Sequence, residues 1–107
     1  MTDKPQLRFH PRAKDDIAEI LIYLRAEASP TVSRQFLEAL DKTTNRLREH
    51  PHLGSHRTFT SPLLRHIRMI PISDFSRHLL FYLSDQDCID VIRVVHGARD
   101  LPALFDE

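Results

Sequence analysis

The chain has 107 residues, which bounds it to one domain, residues 1–107, with a single modest core. Its 15 Lys and Arg balance 15 Asp and Glu, so no global field marks it as a general nucleic-acid or membrane-surface binder. Only three of the cations are lysine, and arginine-rich usage favours fixed contacts with carboxylates or phosphates. The single cysteine, Cys88, excludes an internal disulfide and fits a reducing cytoplasm, where the chain is expected to reside. Residues 1–10 carry no signal-like apolar run, and no stretch is apolar for long enough to span a bilayer.

In chain order, residues 6–10 alternate Leu7 and Phe9 with polar neighbours, which predicts a short strand with one buried face. Pro11 opens a helix at a position where a missing N–H costs nothing. Asp15, Asp16 and Glu19 in its early turns complement the helix dipole. Ala13, Ile17, Ile20, Leu21, Leu24 and Ala28 form a stripe at helical spacing. Ser29-Pro30 ends this helix and starts another, with Ser29 as N-cap. Val32, Phe36, Leu40, Thr43 and Leu47 give the second helix its apolar face, and the minimal linker predicts an antiparallel hairpin. Pro51 stops the second helix, and residues 52–62 read as loop.

Residues 64–72 read as a strand in which Pro71 marks an edge or a bulge. Residues 73–76 turn, 77–83 form a strand, 84–87 turn, and 88–95 form the last strand. Ile89, Val91, Ile92, Val94 and Val95 make that strand apolar enough for the centre of a sheet. Short connections imply an antiparallel meander. The expected architecture is α+β, order β-α-α-β-β-β, with the helical hairpin packed on one face of a small antiparallel sheet. The position of the first strand, edge or centre, stays open.

The last strand breaks at His96-Gly97, where glycine admits backbone angles closed to other residues. Arg99, Asp100 and a short apolar tail follow. This ending, His-Gly-x-Arg-Asp after Arg93-Val94-Val95, resembles that of ParE-type toxins in the ParE/RelE superfamily of type II toxin–antitoxin systems. The likeness extends to Pro11, Ala13, Asp16 and Ile17 at the start of the first helix, and to Tyr23. It continues through Leu47, Pro51 and Gly54, then Leu64-Arg65 and Phe81-Tyr82. The resemblance implies a toxin without catalytic residues or cofactor, which binds DNA gyrase and traps its cleaved DNA complex. It implies neutralisation by a ParD-like ribbon–helix–helix antitoxin in a heterotetramer or larger assembly, with no sequence-specific DNA binding by this chain and no membrane partner. The alternative branch resembles RelE, a ribosome-dependent messenger RNA endoribonuclease, for which His78, His96, Arg65 and Arg93 are the candidates for acid–base and phosphate-binding roles. A relative that has lost toxicity and serves as an interaction module is a third possibility.

Arg65, Arg68, Arg77 and Arg93 fall on adjacent predicted strands and are candidates, with His96 and Arg99, for a target-binding surface. The same arginines also suit a solvated outer face, and Arg99 with Asp100 suits a structural ion pair. The family lends part of the groove between hairpin and sheet to its antitoxin, and Ile20, Leu24, Phe36 and Leu40 are the candidates there. His50, His52 and His56 lie on a loop without further donors, so no metal site is expected. Cys88 reads as inert core.

Overall fold

The computed structural model describes residues 4–57, 62 and 65–97. Both helices begin on proline, where the first-turn N–H has no intrahelical acceptor. Helix α1 spans Pro11–Glu27 and α2 spans Pro30–Glu49. Ser29 caps α2 as expected, its Oγ accepting from the Val32 N–H at 3.1 Å. Only Ala28 and Ser29 separate the helices, so they fold back on each other, and Ser33 Oγ donates to Leu21 O at 2.9 Å. The first turn of α1 holds no acid, so the expected role of Asp16 at the helix dipole is corrected: its carboxylate is bonded to the sheet.

Five strands form one sheet: β1 (Gln6–Phe9), β2 (Ser55–His56), β3 (Arg68–Ile72), β4 (Phe75–Ser84) and β5 (Cys88–His96), in the spatial order β1-β5-β4-β3-β2. The antiparallel meander β3-β4-β5 is as read from the short turns. The long helical connection brings β1 to the edge, parallel to β5 from Gln6↔Cys88 to Phe9↔Val91, which makes the sheet mixed. Strand β2, two residues without apolar pattern, lies inside the stretch expected to be loop and pairs with β3. Pro71 sits beside a register shift in β3, as a residue without an N–H requires.

A second shift decides which side chains meet the helices. Phe81 pairs with Arg93 and Tyr82 with Val91, so Ile92 is an extra residue in β5. Ile89, Val91 and Val94 therefore all join Phe36, Leu40, Leu47, Leu80 and Tyr82 in the core beneath the hairpin. Ile92 and Val95 join Ile67, Phe81 and Leu79 on the opposite side. Ile67, Phe81 and Val95 are buried, so the outer face, expected to be solvated and arginine-rich, carries its own apolar cluster. No helix among the described residues is long and apolar enough to cross a membrane.

Polar ties hold the turns. Thr43 Oγ1 accepts from the Ser73 N–H at 3.0 Å and donates to Ala39 O at 2.8 Å, fixing the β3–β4 turn, where Asp74 has φ 66°. The hydroxyl of buried Tyr82 donates to Pro51 O at 2.9 Å and accepts from the Gly54 N–H at 2.8 Å. A Cβ on Gly54 would lie 2.7 Å from that hydroxyl, so only glycine permits the approach. Arg68 closes the same loop by donating to Gly54 O at 2.7 Å and His52 O at 3.2 Å. Tyr82→Phe leaves both loop groups without this partner and is expected to cost about 1–3 kcal/mol. Urea unfolding checks it: the midpoint falls while the slope stays the same.

Candidate functional site

Asp16 is a carboxylate on the apolar stripe of α1, three residues after Ala13 and four before Ile20. A buried charge there needs a cation and further donors. Arg93 supplies the first: its Nε donates to Asp16 Oδ2 at 2.7 Å and its Nη2 to Oδ1 at 3.0 Å. Val94 supplies the second, its N–H donating to Oδ2 at 3.0 Å. Both side chains are buried, 7% and 8% exposed. The site for this contact exists because β1 pairs with β5 only as far as Val91, and α1 covers the edge beyond.

Beside the ion pair, between α1 and the ends of β4 and β5, a pocket of about 320 Å³ is lined by Asp16, Glu19, Ile20, Tyr23, His78 and His96. Tyr23 is 63% exposed. His78 is half-buried, with its ring edge-on to Phe36 at 5.2 Å and to His96 at 5.4 Å. Burial, and then the neighbouring His96, push the His78 pKa below its ordinary value.

A second hollow lies at the β1 edge. Leu7 and Phe9 from β1, Ile17 and Leu21 from α1, and Leu37 and Leu40 from α2 line an apolar groove of about 430 Å³. Leu37 is 46% exposed.

The expected basic surface does not form as one patch. Arg93 is buried in the ion pair and is withdrawn from target binding, because its guanidinium donors are directed to Asp16. Arg68 holds the loop at His52 and Gly54. Arg65 and Arg77 are exposed, and His96 is exposed at the pocket. Arg68, three residues after Arg65, pairs with Tyr82, about 13 Å along β4 from His78 at the usual strand rise. The four candidates for ribonuclease chemistry therefore do not converge. Arg99 and Asp100 lie outside the described residues.

Of the groove candidates, Leu40 lines the apolar groove, Ile20 lines the histidine pocket, and Leu24 packs on the core. Phe36 is fully buried and edge-on to Phe75 at 5.1 Å, so it belongs to the core and offers no contact surface. Cys88 is buried, and burial followed by Asp90 pushes its thiol pKa up, which keeps it protonated and unreactive. Among the described residues, no cluster of three His, Cys, Asp or Glu converges as a metal centre.

A helical pair on a meander, with an apolar groove on one face of α1 and a smaller pocket holding two histidines on another, defines an α+β domain. The family model for the ParE toxin of the type II toxin–antitoxin system parDE matches residues 7–101, and the chain belongs to that family. A solved structure titled "Chromosomal ParDE TA system from P. aeruginosa" shares the fold, with a TM-score of 0.69 at 13% identity, covering 87% of this chain and 96% of that one. No curated protein matches the chain by sequence comparison.

Asp16→Ala leaves the Arg93 charge buried without its partner and is expected to destabilise the fold by about 3–5 kcal/mol. Replacing both together, Asp16→Leu with Arg93→Met, is expected to cost less than Asp16→Ala alone; chemical denaturation of the two variants makes the comparison. His78 adds a pH dependence. Its folded-state pKa lies below its unfolded value, so the unfolded chain binds the proton more readily. The stability this confers is complete above about pH 6.5 and is lost as pH falls from there through the folded-state pKa. Thermal melts across that range are expected to show the loss, and His78→Gln to reduce it.

Proposed function

We propose that the chain is a toxin that acts by binding DNA gyrase and holding it on cleaved DNA, with no chemistry of its own. A cognate ribbon–helix–helix antitoxin neutralises it in a heterotetrameric or larger complex in the cytoplasm. Family membership supports the toxin role. The observation that favours binding over ribonuclease chemistry is the burial of Arg93 against Asp16. It removes one of the two arginines from the candidate set, and phosphate cleavage needs a cation at the reacting group. Target contacts are assigned to the exposed Arg65, Arg77 and His96.

The antitoxin is assigned to the apolar groove at Leu7, Phe9, Leu21, Leu37 and Leu40. A groove walled by two helices and an edge strand accepts the apolar face of an amphipathic segment. Leu37, exposed before binding, suits a contact whose burial favours the complex.

One experiment addresses target and neutraliser together. Purified toxin is added to gyrase supercoiling and to translation reactions, each with and without the antitoxin encoded beside it. Inhibited supercoiling with trapped cleaved DNA, relieved by antitoxin, is the expected result. Leu37→Glu is expected to keep the inhibition and to need roughly tenfold more antitoxin for relief. Codon-positioned messenger RNA cuts with unaffected gyrase would overturn the reading.

A further inference from the structure

The balance of 15 cations against 15 acids hides a separation of charge along the chain. Residues 46–68 hold five arginines (Arg46, Arg48, Arg57, Arg65 and Arg68), four histidines and a single acid, Glu49. The rest of the chain is left with ten cations against fourteen acids. Even that one acid is occupied, with Lys4 Nζ 3.1 Å from Glu49 Oε1.

The fold gathers this excess at one end of the sheet. Strand β2 is the edge strand beside β3, with His56 opposite Arg68, and the Arg57 N–H donates to Ile67 O at 3.1 Å. Arg65 and His66 immediately precede Ile67, so the pairing brings the two ends of the segment together. His56, Arg57, Arg65 and His66 are all exposed. Among the described residues, neither Arg57 nor Arg65 meets a carboxylate; the ion pairs are made by Lys4, Arg8 and Arg93. In the same segment, Arg48 Nε donates to Pro5 O at 2.9 Å and Arg68 Nη1 to Gly54 O at 2.7 Å. Those acceptors are neutral, so the two charges are held in place without being cancelled. Asp85 borders Arg48 and His52 across a hollow, and the basic surface ends on that side.

We infer that the β2 edge, with Arg57 and Arg65 as its principal contacts, binds the phosphate backbone of duplex DNA without reading its sequence. Guanidinium forks match phosphate oxygens, and cations that neutralise phosphates release the counterions held by the duplex. Such contacts fix position and carry no sequence information. The choice of DNA rests on the proposed action at gyrase, which puts the cleaved duplex beside the bound toxin. Arg65, one of the target contacts assigned above, is thereby directed to the DNA of that complex. A local excess of this kind is compatible with a chain of zero net charge, because exposed charges act over about a Debye length, roughly 8–10 Å at ordinary salt.

Fluorescence anisotropy of the full chain with a labelled duplex of about 20 base pairs and arbitrary sequence tests the site, from about 50 mM salt upward. Binding is expected with a Kd of about 1–100 µM, equal for a duplex of shuffled sequence and weakening as salt rises. Arg57→Gln and Arg65→Gln are each expected to weaken it roughly fivefold or more and to lower the salt slope by about one. Arg25→Gln, which removes an exposed charge from the last turn of α1, is expected to bind as the unaltered chain does. No binding at about 50 mM salt, or an equal loss in Arg25→Gln, would overturn the assignment. A poly-glutamate peptide bound as tightly as the duplex would also overturn it, by placing an acidic protein there instead. Supercoiling assays on the same preparation separate the two readings. Gyrase inhibited without DNA binding removes the phosphate site alone, whereas DNA binding that depends on Arg57, with gyrase unaffected, removes the target alone.

Discussion

The contact on which the arrangement of helices and sheet depends is the carboxylate of Asp16, buried under α1 with three donors directed at it. Arg93 provides two and the Val94 backbone provides the third. A buried pair of this kind adds little over apolar residues of equal volume, because desolvating the two charges offsets most of their attraction. Its effect is on specificity. Sliding α1 along β5 by one turn would leave both charges and the Val94 N–H unpaired in the interior, so only one docking of helix on strand is tolerated. The same interaction explains why β5 stays protected past the end of β1: the helix supplies the acceptor that a longer strand would have offered.

That docking divides the surface of the hairpin. Toward the β1 edge, α1, α2 and β1 together line the apolar groove, to which the exposed Leu37 contributes. On its other side, α1 stands beside β4 and β5 over the histidine pocket. The first is lined mainly by apolar side chains, whereas the second combines Asp16, Glu19, Tyr23 and the two histidines with Ile20, Val94 and Val95, so the two differ in chemistry. Helix α1 contributes to both through different faces, Ile17 and Leu21 on one and Asp16, Ile20 and Tyr23 on the other.

The sheet is also less one-sided than a hairpin-on-sheet architecture suggests. The extra residue at Ile92 resets the alternation of β5, so that Val94 faces the helices and Val95 faces away. Without it, Arg93 and Val95 would share the side of Val91, and Val94 would leave the core. Beyond the irregularity, the Val94 N–H and the Arg93 guanidinium both meet Asp16.

Much of this is local and was legible in the chain. Proline at the first turn of each helix, Ser29 as a cap, the apolar stripes and the short turns of the meander act over a few residues, and they determined the order of elements. Pro71 announced its bulge because it lacks an N–H. Asp16 carried a readable sign, a charge on an apolar helix face, although nothing nearby in sequence named its partner 77 positions on. The edge position of β1, the pairing of His78 with His96, the removal of Arg93 from the surface and the burial of Phe36 were decided only by tertiary structure. Each depends on which strand register and which helix docking satisfy buried polar groups at a distance, and the local pattern of side chains is compatible with several such solutions.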